Sequence, residues 1–187
     1  QPNNEITIPG FISSSYVIKS GDTFWKLATA RNLSIDALLL LNQNVNPNKL
    51  KIGDSIHLPK RVVSSIVVGN KRYGSKSLLQ DINQLKEIYP FITVDKVGNS
   101  VLGKPLHHIK IGKGKKKIQM NASFHANEWI TSPILMKLIN EYLLSLTNQR
   151  PIRGLYTMPF YNSVELSIVP MVKPDGVDIV LNGPTVN

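Results

Sequence analysis

Apolar and polar positions alternate over short stretches of the chain and recur at helical spacing over others. Tyr16-Val17-Ile18-Lys19 predicts a short strand that runs into Ser20-Gly21-Asp22-Thr23, where glycine supplies an unusual backbone angle and Asp or Thr can cap a helix. Phe24, Leu27 and Ala28 then fall three and four apart, so a helix begins near Thr23 and Asn32 ends it. Ser34 caps a second helix whose Ile35, Leu38 and Leu39 face inward. After a turn over 42–48, the stretch from Lys51 to Leu58 alternates toward Pro59 as a returning, half-buried strand. The order strand, helix, helix, strand describes a small α+β unit.

From Lys60 to Lys76, Ser, Gly, Val and basic residues mix without periodicity, and a linker is placed at 60–72. A second unit, 73–187, opens with a helix: Ser77 and Gln80 form a capping-box pattern, and Leu78, Ile82, Leu85 and Ile88 keep helical spacing until Pro90. Strands are expected at about 91–97, 106–111 and 117–123. A longer helix runs from Ser132 to Thr147 with Leu135, Leu138, Ile139, Tyr142, Leu143 and Leu146 on its buried side. A further strand from Glu165 to Val172 ends in a turn at Lys173-Pro174-Asp175-Gly176. Strands alternating with helices argue for α/β, with sites at strand carboxyl ends.

Composition narrows the chemistry. The 187 residues contain no cysteine, which removes disulfide scaffolds, thiol nucleophiles and cysteine metal sites. Any metal must therefore use carboxylates and the four histidines, His57, His107, His108 and His125. No apolar run approaches the roughly 18 residues of a membrane span; the longest cluster is Leu38 to Leu41. The chain starts at Gln1 without a signal-peptide pattern. Ile6, Ile8 and Pro9 match Ile56, Leu58 and Pro59 at a period of 50, so residues 1–10 read as the last strand of a preceding repeat.

The run from Tyr16 through Gly21-Asp22-Thr23-Phe24-Trp25-Lys26-Leu27-Ala28, with Leu50-Lys51-Ile52-Gly53-Asp54-Ser55-Ile56, resembles a LysM module over 16–59. That resemblance implies binding of N-acetylglucosamine-containing glycans, peptidoglycan or chitin, in a shallow groove. The groove would lie between Gly21, Asp22, Thr23 and Phe24 on one side and Asn44, Val45, Asn46 and Pro47 on the other. Acetamido sugars need amide hydrogen bonds and an apolar surface without requiring charge. Each of these residues also has an ordinary structural role, and Trp25 reads equally as a stacking or a packing side chain.

His125-Ala126-Asn127-Glu128 follows the expected third strand of the second unit. Residues three apart on a helical turn project to one side, so an imidazole and a carboxylate can meet one ion. By itself this spacing is weak. Together with Val97-Gly98-Asn99-Ser100-Val101-Leu102-Gly103-Lys104-Pro105-Leu106 before it and Val169-Pro170-Met171-Val172-Lys173-Pro174-Asp175-Gly176 after it, the segment resembles the zinc carboxypeptidase A-like metallopeptidase family over about 73–187. The fold this implies is a mixed-sheet α/β zinc carboxypeptidase-like fold, C-terminally incomplete, behind the βααβ LysM module.

The resemblance implies Zn2+ held by His125 and Glu128, a third His ligand and a general-base Glu expected beyond Asn187, and no catalytic residue within 1–187. A substrate-binding Arg expected soon after Pro-Asp-Gly has no counterpart, since 177–187 contain no basic residue. Asn127 stands where relatives carry Arg, and Lys173 where they carry Asn. His107 and His108 are neighbours on a strand and point to opposite faces, so they read as surface or packing residues. A LysM module joined to such a peptidase implies a cell-wall hydrolase that cuts peptidoglycan peptide stems at the γ-D-glutamyl-diamino acid bond, wall- or spore-associated. The alternative is a non-catalytic LysM glycan binder with a remnant peptidase region.

Charge is uneven. Residues 1–60 carry net +2 and 61–187 net +8, and seven lysines with no acid lie between Lys96 and Lys117. A basic run can attract polyanions; without an aromatic platform or a nucleic-acid fold, no nucleic-acid partner is expected. An α/β unit without its remaining strands is expected to leave a sheet edge open to association.

Overall fold

The computed structural model describes residues 9–69 and 72–184. The chain divides into two compact units, Gln1–Val62 and Val63–Asn187. The period-50 repeat reading falls mainly on residues 1–8, which lie outside the described residues.

In the first unit, β1 (Phe11–Val17), α1 (Phe24–Thr29), α2 (Ile35–Leu41) and β2 (Ser55–Arg61) follow in order. The strands pair antiparallel with Tyr16 opposite Ile56. Ile18, Phe24, Leu27, Ala28, Leu38, Ile56 and Leu58 form the core. The helical spacing read from the sequence is thus the spacing of buried side chains. Thr23 caps α1 by accepting from the Lys26 amide at 3.1 Å. Asn42 fastens α2 to β2: its Nδ2 donates to the Leu38 and His57 carbonyls at 2.8 Å, and its Oδ1 accepts from the His57 amide at 2.7 Å.

Three details differ from the sequence reading. Pairing runs outward as far as Phe11 and Arg61, so both strands extend away from the helices. Gly53 at φ +93° makes 51–54 a turn, which interrupts the alternation and leaves Ile52 exposed. Ile35, expected in the core, is exposed at the surface.

The second unit contains α3 (Ser75–Ile88), β3 (Thr93–Asn99), β4 (Pro105–Ile111), β5 (Lys116–Asn121), a single 3-10 turn (Ala126–Glu128), α4 (Thr131–Asn148), α5 (Met158–Ser163), β6 (Val164–Val169) and α6 (Pro174–Asn182). Its sheet has the order β3-β4-β6-β5. β3/β4 and β4/β6 are antiparallel, and β5/β6 is parallel. This is a mixed α/β sheet. α3 packs against α4 and α6, burying Leu78, Ile82, Leu85 and Ile88 from α3 and Met136, Ile139 and Leu143 from α4. Ile109, Ile111, Val164 and Ile168 are the buried residues of the central strands. β5 is an edge strand among the described residues, with Ile118 exposed on it.

The expected capping box at Ser77 is not used. α3 starts at Ser75 with Gly74 as its N-cap, and its first amide is satisfied by the distant Asp178, which accepts from the Ser75 N–H at 2.8 Å and from the Ser75 hydroxyl. A Cβ at Gly74 would lie 2.5 Å from that carboxylate. Leu138 is exposed rather than buried. Lys173–Gly176 is the start of α6 rather than a β-turn, with proline in the first helical position where its missing N–H costs nothing. The stretch expected to be a linker contains the end of β2 and a docked segment: Asn140 Oδ1 accepts from Ser65 Oγ, Ile66 N and Val67 N at 2.8, 2.8 and 3.0 Å.

Candidate metal and glycan sites

The His125–Glu128 turn is set at the end of β5. The strand's register with β6 is prolonged by the Ala122 amide to the Val169 carbonyl, and by Val172 and Lys173 amides donating to Ala122 and Ser123 carbonyls at 3.0 and 3.1 Å. Ser123 then takes φ +48°, a left-handed conformation uncommon for a residue with a side chain. It redirects the chain out of the sheet.

Hydroxyl groups brace this bend. The Ser123 amide donates to Thr131 Oγ1 at 2.8 Å, and Thr131 Oγ1 donates to the Glu128 carbonyl at 2.8 Å. Ser132 Oγ donates to the Pro170 carbonyl at 2.6 Å and lies 2.6 Å from Ser123 Oγ. Ser132 directs its one proton at Pro170, and the Ser123 hydroxyl has both Ser132 Oγ and, at 3.3 Å, the Glu128 carbonyl within reach as acceptors. These hydroxyls tie the end of β5, the start of α4 and the end of β6 behind the turn. Sequence reasoning passed over them; the Ser and Thr flanking His-Ala-Asn-Glu were the available signal.

On this support His125 is the N-cap of the 3-10 turn. Its Nδ1 lies 2.9 Å from Glu128 Oε1, and its backbone N–H donates to Glu128 Oε2 at 3.2 Å. The ring hydrogen bond, then the backbone one, hold the Glu128 carboxyl below the usual carboxylate range. Both side chains are exposed to solvent.

The three segments singled out in the sequence converge on the first turn of α6. A Cβ on Gly176 would stand 2.7 Å from the Ala126 Cβ, so the Pro-Asp-Gly glycine is what allows the His125–Glu128 turn to sit against this helix. The Asp175 carboxylate accepts from Ser100 Oγ and Leu102 N, each at 2.9 Å, which fixes the loop between β3 and β4. Lys104 follows that loop and meets Asp178 at 2.6 Å and Asp175 at 3.7 Å.

A zinc ion sits roughly 2.0 to 2.2 Å from nitrogen and oxygen donors, and two donors 2.9 Å apart can contact the same ion. The pair therefore fits as part of a donor set. Protein zinc sites use three or four groups, and among the described residues no cluster of three His, Cys, Asp or Glu stands ready for a metal. His107 and His108 do not extend the pair. Both lie half-buried in β4; His108 Nε2 is 2.7 Å from Ser167 Oγ, and burial, then the charge of Lys86, lowers the His107 pKa.

The first unit carries a groove of about 560 Å³. Of the residues expected there, Asp22, Thr23, Phe24 and Pro47 line it, whereas Gly21, Asn44, Val45 and Asn46 do not. Trp25, Ile35, Leu39, Asn48 and Leu50 complete the lining. Trp25 is 62% exposed, so its ring is displayed beside the groove rather than packed, and the misplaced Ile35 is part of the same apolar wall. Asp22 shapes the wall from behind: its Oδ2 accepts from the Lys19 amide at 2.8 Å and the Tyr16 hydroxyl at 2.9 Å. The backbone bond from Lys19 is the main cause that depresses its pKa.

Residues 16–59 match the model of the LysM domain, a module that binds glycans such as chitin or peptidoglycan. The chain is 48% identical over a 221-residue alignment to the gamma-D-glutamyl-L-diamino acid endopeptidase 1 of Lysinibacillus sphaericus, covering 91% of this chain and 56% of that protein. It is 40% identical over 144 residues to the uncharacterized protein YqgT of Bacillus subtilis (strain 168), covering 76% of this chain and 36% of that one. The chain thus spans about half or less of the length of these curated relatives. Among solved structures, a carboxypeptidase A from Helicoverpa armigera aligns at 19% identity over 62% of this chain and 28% of its own, with a TM-score of 0.49. No helix among the described residues is long and apolar enough to cross a membrane. Residues 78–185, more than half of the chain, match the zinc carboxypeptidase family, and the chain belongs to that family.

Proposed function

We propose that this protein is a peptidoglycan-directed zinc metallopeptidase whose substrate is the peptide stem, at the γ-D-glutamyl-diamino acid bond. The observation that carries the reading is the His125–Glu128 pair, with Nδ1 and Oε1 converging at 2.9 Å on a turn braced at the end of β5. The name of the Lysinibacillus relative supports the bond. Zinc, when bound, polarises a scissile carbonyl and activates water. The chain's own part is to hold two of its ligands: the hydroxyl brace fixes the turn, and the ring and backbone hydrogen bonds from His125 favour the ionised form of the Glu128 carboxyl. Asn127 is an uncharged amide beside the pair, which suits a bond inside a branched stem better than recognition of a free C-terminal carboxylate.

The groove beside Trp25 supplies retention on the polymer. Its apolar wall and exposed indole suit an acetamido sugar, whose methyl group and ring face are apolar and whose amide seeks hydrogen bonds. A second reading, a glycan binder without catalysis, is favoured by the two-donor set among the described residues.

Zinc binding by the purified chain, measured beside Glu128→Ala, tests the pair, and mass spectrometry of muropeptides tests the reaction. Loss of zinc affinity in Glu128→Ala is the expected result, and stem peptides are expected only where the pair stands in a donor set of three or four groups, and not from Glu128→Ala. Zinc binding indifferent to Glu128→Ala refutes the assignment. Release of no peptide at saturating zinc leaves the glycan binder as the function. Retention on insoluble peptidoglycan is expected to weaken about tenfold, ~1.4 kcal/mol, in Trp25→Ala.

A further inference from the structure

The seven lysines between Lys96 and Lys117 are sorted by the fold. Lys104 is held by Asp175 and Asp178, Lys110 meets Asp95 at 2.7 Å, and Lys117 meets Glu165 at 3.5 Å. Lys113, Lys115 and Lys116 are exposed in the connection from β4 to β5 and at the first residue of β5. Among the described residues, no carboxylate lies within ion-pair distance of these three. Lys96, the seventh, is exposed on β3, so three of the four lysines that meet no carboxylate among the described residues are gathered into one turn.

That turn is clamped rather than free. Gly112 has φ +121°, and a Cβ there would lie 2.0 Å from the Val164 carbonyl oxygen; a Cβ at Gly114 would lie 1.8 Å from the Ser163 carbonyl carbon. The Lys113 amide donates to the Tyr161 carbonyl at 2.8 Å, and the Lys113 ammonium stands 5.8 Å over the Tyr161 ring. Two glycines thus press the backbone onto the junction of α5 and β6. The glycines let the connection from β4 to β5 cross the start of β6 in close contact, and the three lysines are thereby carried on a fixed backbone.

We propose that this turn docks a linear polyanion whose charges are phosphodiesters linking polyol units, carried on the same wall glycan that the LysM groove reads. The choice of that polymer rests on the cell-wall reading above. The site is read as recognising charge: lysine is a point-charge phosphate binder, and the ring that stands under Lys113, Tyr161, is itself buried and offers no open face for base stacking. A nucleic acid is therefore the less suited ligand. The turn lies at the opposite end of β5 from His125, roughly 20 Å of strand away, so polymer held there leaves the metal pair accessible.

The test is retention of the native chain and of Lys113→Gln/Lys115→Gln/Lys116→Gln on insoluble cell wall, intact or stripped of its phosphodiester polymer by hydrofluoric acid. Three charge contacts give a salt slope of about −2, so retention on intact wall falls about 16-fold between 50 and 200 mM salt. The triple variant is expected to lose that slope and to match the native chain on stripped wall. Equal retention of variant and native chain on intact wall overturns the proposal, as does equal retention of the native chain on intact and stripped wall. Tighter binding to an oligothymidylate than to a polyol phosphate of equal charge also overturns it. Retention on intact wall combined with none on stripped wall sinks the glycan reading and leaves the lysine site standing.

Discussion

Replacing Asn140 by alanine removes one oxygen that serves three donors. The side chain is fully buried on α4, and its Oδ1 accepts from Ser65 Oγ, Ile66 N and Val67 N at 2.8 to 3.0 Å. Val67 is 3% exposed, so its amide is left without an acceptor and without water, a cost of about 1 to 3 kcal/mol. Ser65 and Ile66 are half-buried and recover solvent in part, which adds about 1 kcal/mol. The sum, about 2 to 4 kcal/mol, is a large share of an ordinary domain's stability. Urea unfolding followed by Trp129 fluorescence in a Trp25→Phe background reads the second unit separately. Hydrogen exchange at Ile66 and Val67 reads the segment itself. Ser65→Ala, which removes one donor and strands nothing, is expected to cost under about 1.5 kcal/mol. A loss below about 0.5 kcal/mol in Asn140→Ala, with both amides still protected, would refute the claim that this oxygen secures the segment.

Two further perturbations separate local from distant contributions. Thr23→Ala deletes the α1 cap and is expected to cost the first unit about 1 kcal/mol, seen as a lower thermal midpoint; an unchanged midpoint counts against the cap. Burial alone would raise the Asp178 pKa, but hydrogen bonds from Lys104 and from the Ser75 hydroxyl and amide outweigh it, so the carboxyl titrates below its usual range. A depressed folded pKa gives stability that is present above the unfolded value, about 3.9, and is lost as pH falls through the folded value. Asp178→Asn should flatten that acid limb in urea titrations of the second unit, and an unaltered limb would show that the network contributes nothing.

Local signals carried much of the architecture. Leu78, Ile82, Leu85 and Ile88 are all buried, as their spacing requires, and Thr23 caps the helix that follows it. The misreadings fall where a partner far along the chain decides. Ser77 offers a good capping pattern, yet Asp178, 103 residues from Ser75, takes over the start of α3. Pro-Asp-Gly has turn composition, yet the same proline opens a helix once Asp175 and Gly176 have partners at Ser100 and Ala126. α5 has six residues, two of them Met and Pro, too few for a period to show. At the candidate sites, the pairing of His125 with Glu128 was legible from the segments around it, since their spacing alone is weak. The Ser123, Thr131 and Ser132 brace was not, because its geometry depends on a left-handed serine. Trp25 was ambiguous until its neighbours were in place, since exposure is a property of the fold rather than of the residue.

The contact between Gly176 and Ala126 has a meaning for how this protein can vary. The two positions lie 50 residues apart in the chain, yet a single methyl on one would overlap the methyl of the other at 2.7 Å. The turn bearing His125 and Glu128 and the helix opening at Pro174 are therefore one heritable block. A chimera that imports a bulkier 126 without the matching helix, or a side chain at 176 without a smaller turn, inherits a clash directly beneath its His125–Glu128 pair. Recombination of this family's parts should be tolerated at seams that keep these two segments together and resisted at seams that part them.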